Sequence, residues 1–72
     1  MSTLGERAKR ARKDLGYNQK DFAEATGFSA PYLSKVENDI HTPRTDLMIL
    51  LAKSLGVSLE WLVGMSDDPT PR

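Results

Sequence analysis

Residues 19–38 read QKDFAEATGFSAPYLSKVEN, and the stretch carries two short runs of helical periodicity on either side of one glycine. Phe22, Ala23 and Thr26 share a face before Gly27, and Leu33 and Val36 recur three apart after it. The boundaries are set by polar residues. Asn18 is a good N-cap with Asp21 three positions on, so the first helix begins near Gln19. Gly27 ends it, because the residue that follows a helix often takes a positive φ, which costs glycine little. Ser29 caps the second helix. Pro31 falls in its first turn, where a missing N–H has no intrahelical partner to lose. Ala23 is small where the second helix must cross close by. By itself the pattern predicts two helices meeting at a sharp corner, which is also a common feature of all-α domains with no special function.

The rest of the chain repeats this kind of punctuation. Leu4, Ala8, Ala11 and Leu15 lay an apolar stripe under a charged outer face and predict a helix from about Thr3 to Leu15, closed by Gly16. DIHTPRT, residues 39–45, has no apolar period and contains Pro43, so it reads as a loop. Thr45 is placed to cap a fourth helix whose buried side is Leu47, Leu50, Leu51 and Leu55, with Met48 and Ala52 beside them and Gly56 as its stop. Ser58 is placed to cap a last short helix, LEWLV, before Gly64. A coiled coil is rejected because no heptad survives for several turns. The expected fold class is all-α, a compact five-helix bundle. Residues 1–66 form the expected domain, and the polar, proline-bearing residues 67–72 a flexible tail or the start of a linker.

Composition narrows the function. A chain of 72 residues allows one small domain and little room for a deep substrate cavity. Ser34, Lys35 and His41 make no catalytic triad, and no cofactor fingerprint is present, so an enzyme is not expected. With no cysteine and a single histidine there is no basis for a disulfide framework or a metal site, and neither a cofactor nor a small-molecule ligand is evident. The N-terminus MSTLGERAKR lacks an apolar signal core, and no apolar run approaches the ~20 residues that span a bilayer. A cytoplasmic protein is expected, with no membrane partner. Formal net charge is zero, yet Arg7, Lys9, Arg10, Arg12 and Lys13 crowd the first segment. A neutral total still permits a local basic face, with moderate and salt-dependent affinity for nucleic acid.

Three segments taken in order, LGERAKRARKDLG (4–16), NQKDFAEATGFSAPYLSKVEN (18–38) and TPRTDLMILLAKSLGVSLEWLVG (42–64), closely resemble the lambdoid repressor, Cro and Xre family of helix-turn-helix proteins. The shared features are the glutamine that opens helix 2, the Ala-x-x-x-Gly corner, the Leu-x-x-Val-Glu-Asn close of helix 3 and the Leu-Gly-Val-Ser-Leu-x-Trp-Leu close of the domain. The resemblance implies a lambda repressor-like DNA-binding domain in which helices 2 and 3 form the motif. It implies a transcriptional regulator, a repressor, bound as a homodimer to double-stranded palindromic operator DNA on a bacterial or phage genome.

Site roles follow from the same resemblance. Gln19 stands where relatives bond a phosphate, at a helix N-terminus that favours anions in any case. Arg12 and Glu37 match a structural ion pair between helices 1 and 3. Ala30, Pro31, Ser34 and Lys35 match the base-reading face of helix 3 in the major groove, with Lys35 as the donor to guanine and Ala30 and Pro31 able only to pack on a thymine methyl. Tyr32 stands at the rim, within reach of a phosphate or a base. Asn38 and Arg44 suit phosphate contacts, with Thr42 and Thr45 as lesser donors.

Many relatives carry Asn-Gly where this chain has Asn38 and Asp39. A non-glycine residue must therefore take the left-handed corner, and it brings a negative charge toward the phosphate path. Leu59, Trp61, Leu62, Val63 and Met65 match the dimer interface of relatives, which would hold two recognition helices about 34 Å apart on DNA. The alternative reading of the residues is a core cap for a monomer. The alternative function is a helix-turn-helix protein-interaction module of the antitoxin or coactivator kind, which the neutral charge and the Ala30, Pro31 and Ser34 face would suit.

Overall fold

Thr3 opens the first helix with a reciprocal cap. Its hydroxyl accepts the Glu6 N–H at 3.1 Å while its own N–H donates to the Glu6 carboxylate at 3.0 Å, and α1 (Leu4–Asp14) follows. The computed structural model describes residues 2–71; Met1 and Arg72, the outer ends of the expected domain and tail, lie outside the described residues. Asn18 caps α2 (Gln19–Thr26) by accepting the Asp21 N–H at 2.8 Å, and Gly27 closes it at φ 84°, where a Cβ would be strained. Ser29 caps α3 (Ala30–Glu37) through the Tyr32 N–H at 3.2 Å, with Pro31 in the first turn. α4 (Thr45–Leu55) and α5 (Leu59–Leu62) complete the chain, and Ser58 caps α5 through the Trp61 N–H at 3.1 Å. Among the described residues there are five helices and no strand, and none of the helices is long and apolar enough to cross a membrane.

Ala8 and Ala11 of α1, Phe22 and Ala23 of α2, Leu33 and Val36 of α3, Leu51, Ala52 and Leu55 of α4 and Leu62 of α5 make one core. α1 packs on α3, α4 and α5, while α2 packs on α3. Three expectations are corrected. Thr45 is the first residue of α4 rather than its cap; the extended residue before it is Arg44, which makes no side-chain capping bond. Leu50 is 44% exposed, because a 100° step per residue puts it about 150° from the centre of the Met48, Leu51, Ala52 and Leu55 stripe. Leu15 is also exposed, at the cap position where α1 runs out.

The start of α1 and the end of α3 approach closely. A Cβ on Gly5 would lie 2.6 Å from the carbonyl oxygens of Val36 and Glu37, so only glycine lets the two backbones approach this far. Asp39 then takes the left-handed corner at φ 60°, as its position after Asn38 requires. Its carboxylate is turned onto α1: Oδ2 accepts from the Thr3 hydroxyl at 2.6 Å and Oδ1 from the Gly5 N–H at 2.9 Å. The negative charge that the sequence placed near the phosphate path therefore sits at a helix N-terminus, where the macrodipole favours it.

Asp39→Ala is expected to lower stability by about 1–2 kcal/mol, on the scale of a lost N-terminal cap. Urea denaturation checks this, and Asp39→Gly should show a loss as well despite relieving the corner, because the carboxylate ties the end of α3 to the first turn of α1.

A second tie is made by Arg7. Its Nη1 donates to the Trp61 carbonyl at 2.5 Å and the Ser66 carbonyl at 3.1 Å, and its guanidinium lies 5.1 Å from the centroid of the Trp61 ring. Ser58 gives its N–H to the Pro69 carbonyl at 2.9 Å and its hydroxyl to the Asp68 carbonyl at 3.3 Å. Residues 66–69 are thereby drawn against α1 and the start of α5.

Candidate nucleic-acid interface

One residue from each of three helices, with Tyr17 of the loop between α1 and α2, meets where the start of α2 and the end of α3 approach α1. Arg12 and Glu37 are both buried, and their side chains meet in a fork, Nε to Oε2 at 2.7 Å and Nη2 to Oε1 at 3.0 Å. Arg12 Nη1 donates to the Tyr17 carbonyl at 2.7 Å, and Gln19 Nε2 donates to Glu37 Oε1 at 3.0 Å. Each charge is thus met by several bonds, which a buried ion pair needs if its desolvation is to be offset. The network fixes the start of α2 and the end of α3 to the same point on α1. The Arg12–Glu37 pairing matches what the resemblance implied. Gln19 has a role that its sequence position did not reveal, since its amide braces Glu37. The first N–H groups of α2 remain available to an anion beside it.

The outer face of α3 follows from this anchoring. Pro31 and Lys35 are exposed, Ser34 is half-buried, and Ala30 is half-buried against the core. Asn38 turns back on the helix and donates its amide to the Ser34 carbonyl at 2.8 Å. Thr42 and Arg44 are exposed in the loop that follows. Arg44 comes within 3.5 Å of Asp46, with both side chains more than 70% exposed, a contact too solvated to hold the arginine in place.

Tyr32 differs from its expected place at the rim. Its ring stacks on Phe28 at 5.8 Å and meets His41 edge-on at 5.1 Å, while its hydroxyl is buried without a hydrogen-bond partner among the described residues. The phenol oxygen is turned inward. Tyr32→Phe should therefore leave DNA affinity within about twofold and stability unchanged or slightly raised, because an unmade buried hydrogen bond is removed. Fluorescence anisotropy together with a thermal melt would check both.

The apolar cluster at the end of the chain divides. Leu62 is wholly inside the monomer and has no surface to offer a partner, so it is removed from the expected dimer face. Leu59 and Trp61 are half-buried against the core, while Val63 and Met65 are exposed, the latter at 80%. The basic face of α1 is also smaller than the sequence suggests. Arg7 and Arg12 are occupied inside the fold, leaving Lys9, Arg10 and Lys13 exposed on it. Lys20, exposed one residue after Gln19, is a cation at the start of α2 that motif reasoning overlooked. Among the described residues no three of His, Cys, Asp and Glu gather as a metal site would require.

Two helices at a glycine corner, the second exposed along one side and locked to α1 by a buried ion pair, define a helix-turn-helix domain. The helix-turn-helix family profile matches residues 9–62, and the chain belongs to that family. It is 37% identical over 65 residues to the HTH-type transcriptional regulator ImmR of Bacillus subtilis, covering 90% of this chain and 51% of that protein. It is 34% identical to the HTH-type transcriptional regulator y4dJ of Sinorhizobium fredii, covering 90% of this chain and 84% of that one. The immunity repressor protein of Bacillus phage phi105 is 32% identical over 62 residues, 86% of this chain and 43% of the repressor.

Among solved structures, the P22 c2 repressor protein in complex with synthetic operator 9T superposes with a TM-score of 0.83 at 26% identity, covering 92% of this chain and all of that one. Several of these relatives are longer proteins: the chain spans about half the length of ImmR and of the phage repressor.

Proposed function

We propose that this domain binds operator DNA in a sequence-specific manner and regulates transcription, as a repressor, with α3 in the major groove of a palindromic site and two copies bound about its two-fold axis. The observation that carries the reading is the lock of Arg12, Glu37 and Gln19, which adds to the core packing of Leu33 and Val36 to hold α3 in one orientation while Pro31 and Lys35 stay exposed and Ser34 half-exposed. Names of relatives add to it: ImmR is a transcriptional regulator, the phi105 protein a repressor, and the P22 repressor is held on operator DNA.

Lys35 carries base readout in this proposal, and Pro31 and Ser34 set the shape around it. Ala30 contributes at most its methyl edge. Phosphates are held by the start of α2 at Gln19 and by Asn38, Thr42 and Arg44 beyond α3. Val63 and Met65, with the outer edges of Leu59 and Trp61, form the contact between copies. The work is done by binding alone, without catalysis.

Paired variants test the assignment. Lys35→Ala should cost about 1–3 kcal/mol on the preferred site and little on random duplex, whereas Gln19→Ala should weaken both about equally. Titrations at two salt concentrations complete the test, since phosphate contacts lose affinity steeply as salt rises and an apolar protein interface does not. Equal losses for Lys35→Ala on both duplexes would remove it from base readout. Salt-insensitive retention of a protein partner, with no duplex bound, would favour the interaction-module alternative.

A further inference from the structure

His41 is the chain's single histidine, and nothing in the proposed interface yet uses it. It lies in the loop after α3, between the corner at Asp39 and the exposed Thr42 and Arg44. The loop is held in place at this point. The N–H groups of Ile40 and His41 both donate to the Lys35 carbonyl, at 2.9 and 3.3 Å, and the imidazole ring is set edge-on against Tyr32 at 5.1 Å and 63°. Tyr32 and Lys35 are three apart on α3 and so share a flank, which places His41 beside the proposed base-reading lysine. The side chain is nevertheless exposed, and among the described residues no hydrogen bond or ion pair engages its ring nitrogens.

From this geometry, and resting on the operator reading above, we infer that His41 is a further DNA-backbone contact whose imidazolium donates to a phosphate, making operator affinity depend on pH. The charges around it give the sign. Lys35 on the neighbouring flank of α3 opposes a second cation. Tyr32 is neutral and contributes only its ring. Asp39 is two residues away but gives its carboxylate oxygens to Thr3 and Gly5, and Asp46, at the start of α4, faces Arg44. Among the described residues no carboxylate forms an ion pair with the imidazole. A DNA phosphate would be the anion that favours the protonated ring, so binding takes up a proton. The complex then holds that proton more tightly than the free protein does, and affinity is highest at the acid end and declines as pH rises.

The test is a duplex titration by fluorescence anisotropy at constant ionic strength between about pH 5.5 and pH 8, a range that brackets ordinary imidazole titration. Wild type, His41→Gln and His41→Lys are compared on one duplex, with a thermal melt of each to confirm folding. Wild type should bind roughly three- to tenfold more tightly at the acid end, where the protonated ring meets the phosphate. His41→Gln should be flat and match wild type only at the alkaline end. His41→Lys, a permanent cation, should be flat and tight throughout. The same pH profile in wild type and His41→Gln, or a flat wild type that still binds, overturns the inference and leaves the operator reading intact. No binding by wild type at any pH overturns both.

Discussion

Removing one partner of the buried ion pair, by Arg12→Ala or Glu37→Ala, is expected to destabilise the domain by about 3–5 kcal/mol, because the charge left behind is buried and loses its counter-ion. Both side chains are almost wholly shielded from water, so solvent cannot take over the lost bonds. A domain of this length has a total stability of about 4–10 kcal/mol, and either change therefore consumes a large part of it or unfolds the chain near 37 °C. Glu37 is the more sensitive side. Its Oε1 accepts from both Arg12 and Gln19, so its loss removes the polar ties of α3 to α1 and α2 at this point together.

Replacing both residues by apolar side chains of similar size, Arg12→Met with Glu37→Leu, should recover most of the stability, since buried pairs often do no better than well-packed hydrophobic substitutes. Urea denaturation of the two single variants and the double variant would reveal this. A double variant as unstable as the sum of the singles would mean that the pair contributes more than the removal of stranded charge.

Gly5→Ala is expected to destabilise by about 1–3 kcal/mol, against the usual sign for this change in a helix. Alanine ordinarily improves a helix interior by about 1 kcal/mol over glycine. Here its methyl group would stand 2.6 Å from two backbone carbonyl oxygens and 2.7 Å from Asp39 Oδ1. The carbonyl oxygens belong to the last turn of α3 and cannot swing aside as a side-chain tip can. Relief requires α1 to withdraw from α3, which lengthens the Gly5 N–H to Asp39 bond and loosens the loop that bears His41, Thr42 and Arg44. Stability and DNA affinity should therefore fall together. A stabilised Gly5→Ala would show that the helices have more room than their packing indicates.

Local chemistry made the helices readable. Asn18, Ser29 and Ser58 cap where a short polar side chain before an apolar run should, and Gly27 turns the corner for the reason its position suggests. The left-handed corner at Asp39 was also legible, because the chain has no glycine to offer there. What escaped was the direction of side chains. Asp39 looked like a charge facing DNA, and only the approach of α1, more than thirty residues earlier in sequence, gives its carboxylate two donors. Gln19 matched a phosphate contact by position, but its bond to Glu37 joins α2 to α3 across eighteen residues and leaves no mark in local periodicity. Leu50 and Leu62 are both leucines near the C-terminal half, and their opposite fates depend on helix phase in one case and on core depth in the other. Tyr32 looked like a rim residue, but its ring stacks on Phe28 and meets His41 edge-on with the hydroxyl buried.

Selection of bound sites from a random duplex library at near-physiological salt, followed by titration of the enriched site as salt is raised, addresses the central claim most directly. An operator-binding dimer predicts a palindromic winner whose half-sites lie about one helical turn apart, with affinity that falls steeply as salt increases. A pool that shows no enrichment over its input at any salt concentration would contradict operator recognition by α3.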